Sequence, residues 1–353
     1  MGETEEEIIG VILLNLGGPD SLQAVRPFLY NLFSDREIIR LGPPFLQKPV
    51  AWLISFLRSK KTKRLYSLIG GKSPILNITM AQAKALEEEL NKRSEVNTQG
   101  SPPPTPPPRG GRVRERVKFK TFVGMRYWHP FIDEVVPEMH RSGIKRIVAL
   151  NMYPQYSHAT TGSSMSRFKK VLSQYPMEVF FITSWFDHPL YIEALVDVIK
   201  KGLKSFNSEL RTPNSELNIV LFSAHNLPET LIKEGDPYVE QINGTIKEIT
   251  KRLNIQWHLS YQSKSGPVKW LEPSTEEMLK RFAEKGFKNI LLVPISFVSD
   301  HIETLYEIDI LYKGIASRLG LVLKRVDSLN THPLFIEALK DIIMKGLKEK
   351  GWI

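Results

Sequence analysis

Residues 290–309, ILLVPISFVSDHIETLYEID, run from an uninterrupted apolar segment straight into a cluster of ionisable side chains. A strand that is apolar along its whole length is one buried on both faces, as in a parallel sheet flanked by helices. Ligand sites of open α/β sheets lie just beyond the carboxyl ends of such strands, so the chemistry of this chain is expected after Pro294. From there the spacing predicts a helix on which Asp300, Glu303 and Glu307 recur at i, i+3 and i+7 and share one face, with His301 at its start. Asp300 and Glu303 alone could be an acidic capping box, which leaves Glu307 unexplained. Carboxylates four residues apart repel by a few tenths of a kcal/mol on a solvated helix, and by more where water is excluded. The pair therefore points to a cation or a shared proton.

A second apolar run, IVLFSAHNLPE (219–229), ends in His225. A lone histidine at a strand end is more often a satisfied polar residue than a base. Its weight here comes from sharing a half-chain with the acidic helix, which would bring both to one sheet edge.

Other polar loops follow apolar runs in the same way. LLNLGGPD (13–20) is a strand entering a double-glycine turn; it lacks both the GxGxxG spacing and the P-loop lysine, so its glycines are expected to let the backbone turn tightly beside a ligand. MRYWHP (125–130) offers Arg126 as a bidentate partner for a ligand carboxylate. YPQYSHATTGSSMS (153–166) is dense in hydroxyls ahead of a helix start, where backbone N–H groups and side chains such as Ser163 could receive a carboxylate or phosphate.

The chain also repeats itself. GIKRIVALNMYPQYSH (143–158) echoes GFKNILLVPISFVSDH (286–301), and HPLYIEALVDVIKKGLK (188–204) echoes HPLFIEALKDIIMKGLK (332–348), at nearly the same offset. Each half reads as strand and loop, helices, a late strand, and a helix opening with His-Pro, where Pro suits the first helical position. Helices between strands imply right-handed crossovers and parallel sheets. The expected fold is α/β: two similar doubly wound, Rossmann-like domains whose parallel sheets face a central cleft. The expected domains are 1–183 plus 333–353, and 184–332, the second carrying His225 and the acidic helix 300–309.

At 353 residues the chain exceeds the usual size of a single core. It contains no cysteine, which excludes disulfides, a thiol nucleophile and a cysteine-ligated iron-sulfur cluster. Any metal must be held by His or oxygen ligands. No apolar run is long enough for a bilayer span, and the acidic start (Glu3, Glu5, Glu6, Glu7) is unlike a signal peptide, so a cytoplasmic protein is expected. The net charge of +10 could serve nucleic acid, an anionic membrane face or a polyanionic ligand; no nucleic-acid motif is present.

Two stretches lengthen the first half. Residues 94–116, SEVNTQGSPPPTPPPRGGRVRER, are too polar and proline-dense to pack and read as a mobile surface loop. Residues 43–64 give an apolar, helix-compatible surface (Phe45, Leu46, Val50, Trp52, Leu53, Ile54, Phe56, Leu57) followed by the basic run RSKKTKR. It is either an ordinary core helix or an interfacial element with cations on lipid headgroups, at about 1 kcal/mol each.

Taken together, LLNLGGPDSL (13–22), IGGKSP (69–74), VGMRYWHP, YPQYSHATTGSS, LFSAHNLPE, YQSKSGPVKWLEP (261–273) and the 290–309 run resemble the ferrochelatases, in family order over nearly the whole chain. The resemblance implies a lyase that inserts ferrous iron into protoporphyrin IX to complete haem, on two chelatase-type α/β domains. It implies that His225 is the active-site histidine and Glu303 the carboxylate opposite it, both also in contact with the metal. Glu307 and Asp300 would form an acidic line leading away from the macrocycle, with these four residues catalytic. Leu16, Tyr66, Arg126, Tyr127, Ser163, Trp270 and His301 would border the porphyrin. Fe(II) enters as substrate, no tightly bound cofactor is implied, and the 43–64 lip would meet the inner face of the membrane peripherally.

The chain departs from the family in three respects. It cannot carry the cysteine-ligated cluster of some members, so it is similar to the cluster-free, bacterial-like type; residues 60–66 form a shorter segment; and the Pro-rich insertion is not a family feature. On the mechanism so implied, His225 accepts pyrrole protons and the acids pass protons or metal. The alternatives are a chelatase for coproporphyrin III or another tetrapyrrole, and a carrier without catalysis.

Overall fold

The computed structural model describes residues 7–96, 117–210, 218–264, 266 and 268–353. The expectation for the Pro-rich segment lies, from residue 97 onward, outside these residues. Its first residues finish a helix that runs to Val96.

Two parallel four-stranded sheets are built to one plan. In sheet A, β1 (Glu7–Asn15) pairs with β2 (Val117–Met125) and β3 (Arg146–Asn151), and β3 pairs with β4 (Glu178–Ile182), giving the order β2-β1-β3-β4. In sheet B, β5 (Asn218–His225) pairs with β6 (Trp257–Gln262) and β7 (Asn289–Pro294), and β7 with β8 (Val322–Arg325), giving β6-β5-β7-β8. The orders correspond strand for strand, as the sequence echo requires. β7 is buried at every position, which is why its residues show no polar alternation.

Helices cover both faces of each sheet. On the outer face of sheet A, α4 (Ile132–Arg141) and α5 (Ser163–Leu172) pack over Ile12, Leu14 and Ala149; on that of sheet B, α9 (Thr275–Glu284) and α10 (Lys313–Arg318) pack over Leu221, Ile290 and Leu292. The larger core lies between the halves and joins Val148 and Leu150 of sheet A to Phe222 and Val293 of sheet B. α1 (Val25–Ser34) packs on α2 (Gln47–Ser67). The long α3 (Ile75–Val96) lies along β2, where Asn91 exchanges hydrogen bonds with the Phe119 backbone and Glu87 accepts from Thr121 N at 2.6 Å.

The two His-Pro helices are exchanged between the halves. α6 (Pro189–Leu210), which follows sheet A in the chain, packs on α8 (Tyr238–Thr250), β7 and β8; α11 (Pro333–Glu349), which follows sheet B, packs on α3 and β4. The helices also touch each other through a reciprocal pair of contacts. His188 Nε2 lies 3.1 Å from Asp341 Oδ2, and His332 Nε2 lies 2.8 Å from Asp197 Oδ2. Equivalent glycines mark the close approaches. A Cβ on Gly202 would lie 3.0 Å from Leu291 Cδ1 and 3.1 Å from Val326 Cγ1, and one on Gly346 would overlap the Phe180 ring.

Gly346→Ala should therefore destabilise the protein by about 1–3 kcal/mol, overpacking outweighing the gain in helix propensity. A melting temperature equal to or above that of the unchanged protein would show instead that Phe180 yields freely.

Candidate active site

Sheet B delivers the imidazole and the carboxylates to one edge. β5 ends at His225 and β7 at Pro294, and the chain after β7 turns into a π-helix, Glu303–Tyr312. The predicted acidic helix thus starts later and is wider than an α-helix, a form often found at functional sites. His225 Nδ1 lies 2.7 Å from Glu303 Oε2. Because a carboxylate only accepts, Nδ1 carries a proton, and in the neutral ring Nε2 keeps the free lone pair. On the other side of Glu303, His301 Nδ1 donates to the Ser299 carbonyl at 3.0 Å, leaving its Nε2 4.0 Å from Glu303 Oε1. Phe297 stands between the two rings, edge-on to both.

Ser263, just past the end of β6, joins the two glutamates. Its Oγ lies 2.8 Å from Glu303 Oε2 and makes a short contact with Glu307 Oε2; its N–H donates to Glu307 Oε1 at 2.9 Å. Tyr312 donates to the same Oε1 at 2.8 Å. This geometry holds Ser263 in the left-handed region, φ 70°, which a residue with a Cβ rarely adopts.

The electrostatics divide the groups. Burial disfavours an imidazolium at His225, but the charge of Glu303 and its hydrogen bond outweigh burial and hold the ring above its ordinary value of 6.5. Burial likewise opposes ionisation of Glu303, and His225, His301 and Ser263 overcome it, so this carboxyl sits well below its usual range. Glu307 is displaced upward by burial and by the charge of Glu303. His301 is displaced downward, burial exceeding the pull of Glu303.

These groups open on a cleft between the sheets that, counted together with the solvent open to it, holds about 730 Å³. Sheet A contributes Asn15, Leu16, Met152, Tyr153, Ser157 and Thr160; sheet B contributes His225, Leu227, Tyr238, Phe297, His301 and Glu303. The double-glycine turn is tight, Gly17 having φ +83° beside Leu16. Its partner wall is fixed across the halves by Asp236, which accepts from Ser157 Oγ and His158 N at 2.8 Å each.

Several expected placements need correction. Asp300 leaves the Glu303–Glu307 face, because Arg325, Ser328, Asn330 and Thr304 all engage its oxygens and the Arg325 guanidinium demands an anion. Arg126 is not held out for a ligand: Nη2 donates to Asp35 at 2.7 Å and Nε to Ser163 at 2.9 Å. Tyr66, Tyr127 and Ser163 are buried, Tyr66 within reach of the Glu303 charge and Tyr127 and Ser163 both donating to Asp35. Trp270 Nε1 donates to the Gly266 carbonyl at 3.3 Å. Among the described residues no group of three or more His, Asp or Glu is arranged to hold an ion, and His225 and Glu303 meet as a hydrogen-bonded pair.

Ser263, Phe297, Tyr238 and Asp35 escaped sequence reasoning. Ser263 carried a usable signal, since it is the first polar residue past a strand's carboxyl end. Asp35 carried none: in SDRE it reads as an ordinary helix terminus.

The chain is similar to proteins of one family over nearly its whole length. A family model described as Ferrochelatase matches residues 8–347. Proteins named Ferrochelatase from Geobacter metallireducens and Geotalea daltonii are 49% and 46% identical, covering 96% and 98% of this chain and 99% of each relative. One from Synechocystis is 44% identical, covering 97% of this chain and 83% of its own length. Among solved structures, SirB from Bacillus subtilis with Fe3+ superposes with a TM-score of 0.52 at 11% identity, covering 97% of both chains, which shows a shared fold.

The His225–Glu303 pair should be visible in pH-dependent stability. The raised imidazole contributes fully below its unfolded value of 6.5 and is lost as pH rises through the folded value; the depressed carboxyl contributes above 4.5 and is lost on acidification. Melting temperatures of the wild type and Glu303→Gln should therefore differ most between those limits. A difference independent of pH would show that the pair is not ionic.

Proposed function

The chain belongs to the ferrochelatase family, and from that membership we propose how its own residues perform the metallation. It is a metal chelatase that inserts ferrous iron into a porphyrin in haem biosynthesis. The observation that carries the assignment to residues is the His225–Glu303 pair facing the interdomain cleft.

Metallation removes two pyrrole protons and replaces the water shell of Fe(II) with four nitrogens. A seat that holds the ring puckered exposes the nitrogen lone pairs and lies nearer the transition state than the flat ring. His225 Nε2 takes the two pyrrole protons in turn, releasing the first to the water that reaches its part-exposed ring before accepting the second, and each imidazolium so formed is stabilised by Glu303 on Nδ1, as in other carboxylate-oriented histidine bases. Glu303, Ser263, Glu307 and Tyr312 form a continuous hydrogen-bonded line away from the cleft. Glu307, whose carboxyl is displaced upward, suits it to hold a proton on that line. Imidazole and carboxylate without thiolate suit Fe(II) and also accept Zn(II) or Co(II). Protoporphyrin IX is favoured as substrate, since the described lining side chains include no Lys or Arg to pair with extra carboxylates.

The lip supports a peripheral seat on the inner membrane face. A 3-10 turn (Pro44–Leu46) leads into α2, which buries Gln47, Ala51 and Ser55 and exposes Trp52, Leu53, Phe56 and Leu57. That is the reverse of a soluble helix. Trp52 and Phe56 stack with 5.9 Å between centroids, and the Arg26 guanidinium lies 5.1 Å from both rings. Lys60, Lys61 and Arg64 are exposed farther along the same helix. Among the described residues no helix is long and apolar enough to cross a membrane.

Under anaerobic conditions His225→Ala should lower iron insertion into protoporphyrin IX by about 10²–10⁴-fold, the range of a lost general base; near wild-type turnover would end the assignment. Replacing Trp52, Leu53 and Phe56 together by Ser should reduce sedimentation with anionic liposomes while leaving the melting temperature within about a degree, as for exposed sites. Unchanged liposome binding would remove the lip from membrane contact.

A further inference from the structure

Asp35 lies at the end of α1, where the chain leaves for the lip, and three donors from two other loops converge on one of its oxygens. Oδ2 accepts from Arg126 Nη2 at 2.7 Å, Tyr127 Oη at 2.7 Å and Ser163 Oγ at 2.5 Å; Oδ1 accepts from Glu37 N at 2.9 Å. The pair is largely out of water, the side chains being 18% exposed for Arg126 and 7% for Asp35. Arg126 sits directly behind the cleft. Its N–H donates to the Asn15 carbonyl and that of Tyr127 to the Leu16 carbonyl, and Asn15 and Leu16 both line the cavity. Its charge also acts on the phenol of Tyr153, another lining residue, against the upward push of burial.

Since the described lining holds no Lys or Arg, Arg126 is a cation one layer behind an apolar wall, and its charge is cancelled by Asp35. We propose that Asp35 is a specificity-determining residue: by holding the Arg126 guanidinium away from the cleft it keeps this wall neutral and selects porphyrins whose carboxylates lie on one side of the ring. A porphyrin with carboxylates all round must place an anion against that wall, where it meets no counter-ion and loses its water. Without the charge of Asp35, Arg126 is itself an unpaired, mostly desolvated cation, and a carboxylate at the wall relieves it. This deepens, and rests on, the assignment of the cleft as the porphyrin seat.

The test is the ratio of kcat/KM for protoporphyrin IX, with carboxylates on one side, to that for coproporphyrin III, with carboxylates all round. Asp35→Asn should lower the ratio about fivefold, within the range of interaction energies between residues of one charge network. Arg126→Gln leaves Asp35 uncompensated and should raise it by a similar factor. The double variant, neutral on both sides, should return it to within about twofold of wild type. The single variants move the ratio in opposite directions, so either one alone, against wild type and the double variant, decides if the other fails to fold. A merely structural role lowers both substrates alike; an unchanged ratio, or a shift that survives in the double variant, overturns the proposal. Fluorescence quenching of the two metal-free porphyrins gives the same ratio as binding. It remains readable if wild type turns over neither substrate, a result that would count against iron insertion and not against Asp35.

Discussion

Glu303 carries a negative charge where water is scarce, and much of the cleft is arranged around that constraint. An isolated carboxylate so placed would cost several kcal/mol or take up a proton. Here one oxygen meets His225 and Ser263 while the other faces His301, so the ionised form prevails. The displacement falls on the neighbour: Glu307 is pushed toward its protonated form by the charge it adjoins. Two chemically identical side chains, one turn apart, thereby acquire opposite tendencies, one to stay charged and one to keep a proton. The arrangement leans on the left-handed backbone of Ser263, a conformation costing about 1–2 kcal/mol that its bonds to both glutamates offset.

The fold was legible because duplication made it so. The uninterrupted apolar runs gave parallel strands buried on two faces, and the paired His-Pro segments implied two equivalent halves, as the matching strand orders show. His225 and Glu303 were legible as a pair because strand ends gather at one edge. What could not be read was the orientation of side chains whose partners are distant in sequence. Asp300 has helical spacing to Glu303, yet Arg325 captures it from beyond the next helix; Arg126 has the chemistry of a ligand contact, yet Asp35 takes it from ninety-one positions away. Periodicity reports which face a residue occupies, and not which charge elsewhere in the chain reaches it first. The widening of the acidic helix into a π-helix was likewise invisible, since the residue spacing of the two forms differs by less than one position per turn.

Polarity is distributed along the cleft in a consistent direction. On the first turns of α2, Gln47, Ala51 and Ser55 face inward and large apolar residues outward. Deeper, the wall is largely apolar, and the Arg126 guanidinium behind it is paired with Asp35. Charge is confined to the far end, where the imidazoles and carboxylates meet. A flat apolar ring with an acidic fringe would meet these environments in turn, its ring favoured inside and its fringe favoured in water.

The exchange of α6 and α11 also bears on how the molecule is made. In chain order α11 follows every other described element, yet it lies against β4 and α3 of the first sheet. During synthesis the amino-terminal half therefore cannot close its inner face, even after all its own strands have left the ribosome, and Leu150 and Ile182 wait for Phe335 and Leu339. The usual sequence, in which the first domain completes itself before the second is translated, is unavailable. Nascent chains of this protein must carry a bare apolar surface until translation is almost through the described residues, so the interval before α11 docks is when capture by chaperones, or by a second nascent copy, is most favoured.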